Sequence, residues 1–431
     1  MKSLWTNGIE KPNFPQLSGD KSCDVLIIGA GITGILTAFF LEQNDINYIL
    51  VEKDKICSGT TSNTTAKITS QHGLIYNKIL KSMGLDFAQL YLTANENAVK
   101  TYKKLCENID CDFEEQDNYV YSLYERKRLE DEVLALQKIG YDAEFVNTNR
   151  LPLKTLGAVK FKNQAQFHPL KFLFKISEKL SILENTKVIN IEENTAITNQ
   201  GKISFKKAII TTHFPFIDKH GSYFLKLYQH RSYVCAFENA IKLDGMYVDE
   251  SRKGLSFRNY ENLLLLGGGG HRTGKKGTAW QEIRNVAAEF YPNSAEKYFW
   301  AAQDCISLDS VAYIGQYSKN TPNLYTATGF NKWGMTGSMV AAQILCDTIL
   351  ENNNEFTNLF SPSRSILKPQ LLVNGLETLK NFLSPTVKRC SHLGCALKYN
   401  KFEHSWDCAC HGSRFNEEGQ VIENPANINL K

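Results

Sequence analysis

No stretch of the 431 residues stays apolar long enough to cross a bilayer. The longest mostly apolar run, Ile32 to Leu41, is about half of the ~20 residues a membrane helix needs. The opening residues, MKSLWTNGIEKPNF, contain no apolar core of a secretory leader. A basic block is missing as well: 49 Lys+Arg against 45 Asp+Glu leave a net charge of only +4, which gives a nucleic-acid partner no electrostatic footing. Internal repeats and low-complexity tracts are also lacking. What remains is an ordinary globular composition, 42% hydrophobic and 22% charged, in a chain long enough for two or three domains. The expectation is a cytoplasmic protein without a transmembrane segment.

Cysteine is the residue in excess. Eleven is a high count for a compartment that keeps thiols reduced, so position matters more than number. Seven are scattered between Cys23 and Cys346, whereas Cys390, Cys395, Cys408 and Cys410 crowd the last 42 residues and mark a separate site.

The amino-terminal part opens with a short apolar strand around Val25–Ile28, then glycines, a helical pattern, and a second strand from Tyr48 to Val51, the start of a βαβ unit. Helices are expected over 85–105 and 128–139. Short strands are expected at 119–124, 187–191, 207–211, 233–237 and 263–266, and a further helix over 341–350. Between strand and helix, Gly29, Gly31 and Gly34 fit G-x-G-x-x-G, with Glu52 ending the next strand. Gly29 permits the tight turn, Gly31 lets backbone approach a pyrophosphate, Gly34 allows close helix packing, and Glu52 is placed for ribose hydroxyls, with Lys53 beside it. The hydroxyl-rich loop Cys57–Lys67, with Thr60, Thr61, Thr64, Thr65 and Ala66, is well placed for a second phosphate and the ring beyond. A second cluster, Gly267–Gly270, precedes no nearby helix and is read as a glycine-rich turn rather than an NAD(P) site.

The Cys57–Lys67 loop resembles that of the D-amino-acid oxidase and sarcosine oxidase superfamily, as does Ala327–Thr336, whose Gly329, Trp333, Gly334, Met335 and Thr336 match that family's closing FAD motif. The resemblance spans most of residues 20 to 350 and implies FAD, a small amine or amino-acid-like substrate, and hydride removal from the carbon beside the amine. Lys67 follows the loop where relatives place a basic residue over the flavin ring, and Lys332 and Trp333 are candidates for the ring's wall. His72 does not have the spacing of known His-linked flavoproteins.

At the carboxy terminus, Cys390-x-His392 and Cys408-x-x-His411 are separated by fifteen residues. Two thiolates and two imidazoles suit a Rieske [2Fe-2S] centre; a structural zinc also takes such a set, but zinc leaves two cysteines unexplained. The boxes resemble the Rieske family, with the extra cysteine in each and the trailing Gly-Ser. That resemblance implies Cys390 and Cys408 on one iron, His392 and His411 on the other, and a disulfide between Cys395 and Cys410. High-potential members continue with Ser and, two residues on, Tyr; here Ser413 is followed by Phe415, which implies a lower potential. The strands that normally precede the first box are missing, so the module looks pared down and dependent on its neighbour.

The expected fold is α/β, a Rossmann-like FAD-binding domain with an interleaved antiparallel-sheet substrate domain, plus a small all-β iron–sulfur module. The polar, Asn-rich stretch 351–369 opens the linker region, and the division is 1–365, 366–386 as linker, and 387–431. The implied function is an FAD-dependent oxidoreductase that passes electrons singly through the cluster to an external one-electron acceptor, protein or small carrier. A non-enzymatic flavin and iron–sulfur relay, and an oxygen-using amine oxidase with the cluster off the main path, are the alternatives.

Overall fold

The computed structural model describes every residue except 1, 149, 218–219, 252–253, 386–387 and 431. The expected junction at 386/387 therefore lies outside the described residues. Among those described, the strands form three sheets.

The first sheet is built on the apolar strand Lys21–Ile28. It pairs in parallel with Tyr48–Val51 on one side and with Lys202–Ile210 on the other, and Leu324–Thr328 extends the parallel set. Val25 to Ile28 and Tyr48 to Val51 are buried, as continuous apolar strands covered on both faces must be. The helices Ile32–Glu42 and Gly334–Ile349 pack together on this sheet, joined by the buried hydroxyl pair Thr33 Oγ1···Ser338 Oγ at 2.8 Å. This pair brings the two ends of the expected cofactor site, 300 residues apart in sequence, onto one side of the sheet.

The second sheet is mixed and mainly antiparallel, and runs in the order Ala295–Ser307, Leu227–Glu238, Leu263–Arg272, Ser256–Tyr260, Met246–Asp249, Glu114–Tyr121, Ala158–Gln166 and Lys67–Ile68. Here the glycine cluster needs correction. Gly267–Gly270 is not a turn but part of the Leu263–Arg272 strand, paired with Leu227–Glu238. A Cβ on Gly267 would lie 2.6 Å from Ser256 Oγ, one on Gly268 2.7 Å from Leu255 Cδ2, and one on Gly269 2.3 Å from the Ala279 carbonyl. The glycines are strand residues that let their neighbours close in.

The segment expected as polar linker is well packed. Leu359 and Phe360 are buried, and Arg364 grips Asp309 with Nε–Oδ2 at 2.8 Å and Nη2–Oδ1 at 2.9 Å. A helix, Pro369–Leu383, follows. The third sheet, of strands Leu397–Asn400, Ser405–Cys408, Arg414–Phe415 and Val421–Glu423, is antiparallel throughout.

This small module sits firmly on the second sheet. Arg231 and Gln303 face each other across paired strands, with Gln229 two residues along on the same face. Arg231 is buried against Glu403 of the module (side-chain exposures 1% and 0%) and reaches Glu423 at 3.2 Å. Arg414 completes the network through Glu403 and Asp407, both at 2.9 Å.

Candidate functional site

The site grows from the first glycine turn. Gly29 has φ +106°, and a Cβ there would press on the Thr211 carbonyl at 3.0 Å; a Cβ on Gly34 would fall 2.0 Å from the Gly29 carbonyl oxygen. Gly31 is the N-cap of the following helix and offers no capping side chain. Thr61 Oγ1 accepts the Ile32 N–H at 3.1 Å, drawing the hydroxyl-rich loop onto the turn. Glu52 accepts the Ala30 N–H at 2.8 Å and that of Asp54 at 3.1 Å; burial pushes its carboxyl up, and these amides oppose the shift. Lys53 is exposed and pairs with Asp54 at 3.5 Å. The second turn, Gly329 to Trp333, leads into a helix whose N-cap, Trp333, again makes no side-chain cap. Neither helix N-terminus is capped by the side chain of its own N-cap residue, and backbone N–H groups in such positions suit an anion.

Beyond the loop, Lys67 is buried. Burial, and then the neighbouring Arg258 cation, bring its ammonium down to about 7, and its Nζ meets only Thr65 Oγ1, at 3.3 Å. Arg258 is buried too, donating through Nη1 to the carbonyls of Thr65 at 2.6 Å and Ala66 at 2.8 Å, while its Nη2 has no partner. Neither cation has a carboxylate partner among the described residues. Trp333 stacks on His72 with centroids 5.0 Å apart and planes at 15°. Both nitrogens of His72 are engaged, Nδ1 with Tyr91 OH at 2.6 Å and Nε2 with Thr69 O and Thr336 Oγ1, both at 2.9 Å; burial lowers its pKa to about 3. It is a neutral, fixed ring. Lys332 sits beside Trp333 in the left-handed region at φ +76°, and its charge acts on the buried Asp304.

In the carboxy-terminal module, the two Cys-His loops face each other. Cys390 and Cys408 are buried together in the module's small core, and the rings of His392 and His411 meet edge to face with centroids 5.0 Å apart. Both ring nitrogens of His411 are buried and have no hydrogen-bond partner among the described residues. The sulfurs of Cys395, Cys408 and Cys410 lie within 4.8 Å of one another. All eleven cysteines are free thiols here, so the structure brings Cys395 and Cys410 together without joining them. Ser413 is buried, accepts the Cys408 N–H through its carbonyl at 2.9 Å and takes the Ala426 N–H on its Oγ at 3.0 Å, and Phe415 is buried in the small core beside the cysteines.

Residues 24–348 match the family model for FAD dependent oxidoreductases, DAO, and residues 372–431 that of the Rieske [2Fe-2S] domain. A Bacillus subtilis protein, YhfW, whose name describes it as a Rieske 2Fe-2S iron-sulfur protein, is 34% identical over all of this chain and 97% of its own length. The chain belongs to the FAD-dependent oxidoreductases with a carboxy-terminal Rieske domain. Glycine oxidase from Geobacillus kaustophilus shares the fold with a TM-score of 0.67 at 17% identity, over 80% of this chain and 99% of the oxidase. L-proline dehydrogenase from P. horikoshii does so at 0.66 and 18%, over 81% and 98%. This oxidoreductase therefore binds FAD and a [2Fe-2S] cluster, and its residues fit both: a glycine cradle closed to side chains for one, an unpartnered buried imidazole beside paired thiols for the other.

Several residues of this oxidoreductase's site carry no sequence signal. Arg258 comes to Lys67 from a distant strand. Trp5, fully buried, donates its Nε1–H to the Thr64 carbonyl at 2.8 Å, and Trp300 Nε1 holds the Asn63 carbonyl at 3.0 Å. Gln229 Nε2 donates to the His411 carbonyl at 3.1 Å, and Arg272 to those of Ala409 and Cys410 at 3.1 and 3.0 Å. The register of the second sheet gathers all of them but Trp5, which lies in a short 3-10 helix, and no local pattern announces it.

Proposed function

We propose that this oxidoreductase takes two electrons from an amine or amino-acid-like small molecule and releases them one at a time to an external acceptor. Bound FAD supplies the exchange between two-electron and one-electron chemistry, and the cluster carries single electrons. One observation carries the reading. Gln303 ties the two cofactor loops together: its carbonyl accepts from Thr60 Oγ1 at 3.2 Å, and its Nε2–H donates to the Gly412 carbonyl, next to His411, at 2.9 Å. Thr273 Oγ1 donates to Gln303 Oε1 at 2.8 Å and fixes which way the amide points.

In this proposal Gly29, Gly31, Gly34, Glu52, Lys53 and the threonines at 60, 61, 64 and 65 with Ala66 hold the dinucleotide, and Gly329 with residues 333–336 closes over its other end. Lys67 offers a buried cation to the reduced ring, and Lys332 and Trp333 form the wall. Arg258, buried with an unpartnered nitrogen, supports a carboxylate-bearing substrate. Cys390 and Cys408 ligate one iron and His392 and His411 the other, while Cys395 and Cys410 close a disulfide between the loops in the mature module. The division at 365 and 386 follows the same reading. Seven buried free thiols outside the module support a cytoplasmic setting.

Anaerobic titration with a panel of amines and amino acids tests the proposal. One member is expected to bleach the flavin, with cluster reduction following. If none bleaches it, the amine reading fails; stoichiometric peroxide in air with an unreduced cluster would instead support the oxidase alternative.

A further inference from the structure

The helix Pro369–Leu383 is inside out. Its buried residues are Asn374 and Asn381. Arg272 Nη1 donates to Asn374 Oδ1 at 3.0 Å, the Ala396 N–H donates to the Asn381 carbonyl at 3.0 Å, and Glu377 pairs with Lys275. This polar face holds the helix to the body of the protein. The opposite face presents Leu372, Val373, Leu376, Leu379, Phe382 and Leu383 to solvent, the four leucines exposed by 73, 68, 56 and 70%.

At ~100° per residue these side chains cover about half of the helix circumference, far wider than the narrow seam by which two helices pair. Leu367, just before the helix, is also exposed. At the C-terminal end, Leu393 is exposed on the loop beside His392, and a Cβ on Gly394 would lie 3.8 Å from the Phe382 ring. The apolar face thus runs on to the Cys-His loop. Its charges are basic: Lys380 on the flank, Lys368 at the N-cap and Arg389 just past the C-terminus.

We propose that this face is a peripheral membrane anchor whose occupant is the surface of an anionic lipid bilayer. The width of the face matches a flat apolar medium, and the basic rim matches anionic headgroups. Fifteen residues are too few to span, and no helix among the described residues is long and apolar enough to cross a membrane, so the helix lies on the surface. Docked in this way, the molecule carries its His392 loop against the lipid. A second copy is the rival occupant, because Leu372, Leu376, Leu379 and Leu383 follow a 4-3-4 spacing; two heptads make a weak pairing in water.

Flotation of the holoprotein with neutral phosphatidylcholine vesicles, and with vesicles containing about 30% phosphatidylglycerol, tests the anchor, alongside sedimentation velocity without lipid. Binding to the anionic vesicles is expected, with weaker binding to the neutral ones. Leu376→Glu with Leu383→Glu should lower the bound fraction at least tenfold and Lys380→Glu severalfold, with flavin and cluster absorbance unchanged. Absence of vesicle binding overturns the proposal. So does a concentration-dependent dimer that Leu376→Glu dissolves without any lipid binding, since the face would then join two copies.

Discussion

Gly31 and Gly34 stand three residues apart and answer to different constraints. A side chain at Gly34 collides with the Gly29 backbone whatever is bound, whereas Gly31 has an ordinary φ of −79° and its Cβ would meet only Thr61 Oγ1, at 3.2 Å. Gly34→Ala should therefore destabilise the protein even without flavin, while Gly31→Val keeps the fold and loses FAD; circular dichroism and flavin absorbance of the purified variants separate the two outcomes. Lys67 and Arg258 are buried cations without carboxylates. With Lys67 over the flavin as proposed, Lys67→Met should lower the flavin midpoint potential by tens of millivolts, because one of the charges offered to an anionic reduced ring is lost. The gap to wild type should be full below about pH 7, where Lys67 is protonated in the oxidised protein, and should close as the pH rises through the higher pKa that the lysine takes beside the reduced ring. A gap independent of pH contradicts this role. In the small module, Phe415 is buried beside the cysteines and the Ser413 carbonyl accepts the Cys408 N–H at 2.9 Å. Phe415→Tyr should raise the cluster potential by tens of millivolts in voltammetry and Ser413→Ala should lower it, since each changes one hydrogen bond near sulfur.

At the scale of elements, the strand Leu227–Glu238 supplies the platform for the iron–sulfur module, and Arg231 is its fixed point. Replacing one partner of a buried ion pair costs about 3–5 kcal/mol, because the other charge is left in the interior. Arg231→Met should cost about that much in chemical unfolding and release the cluster while FAD is retained; loss of both cofactors together would mean that the strand itself had failed. The same strand shows how far the sequence could be read. The first glycine turn and the two Cys-His boxes were legible because their chemistry lies within a few consecutive residues. Arg231, Gln229 and Gln303 were not, because only the antiparallel register brings them to one face. Gly267–Gly270 was misread as a turn for a related reason: glycine in a strand interior looks like a breaker until the side chains of Ser256 and Leu255 and the backbone of Ala279, which occupy the missing Cβ positions, are known. The helix at 369–383 falls mostly in the stretch expected as linker. Which of its faces meets the protein was not legible, since the buried side is the polar one.

On the scale of the whole molecule, a large flavin-binding body and a module too small to build much core of its own are joined through a buried charge network and a row of side chains reaching backbone carbonyls. Such an interface holds the module in one place rather than letting it swing, and Gln303 spans the gap between the two loops. Electron passage is then expected to stay within one molecule. The most direct test is to photoreduce the flavin anaerobically and follow the cluster by electron paramagnetic resonance over a hundredfold range of protein concentration. The account predicts that a reduced Rieske signal grows at a rate independent of concentration, and that His411→Ala abolishes the signal while flavin reduction persists; a rate proportional to concentration, or a reduced flavin with no cluster signal in the wild-type protein, would contradict it.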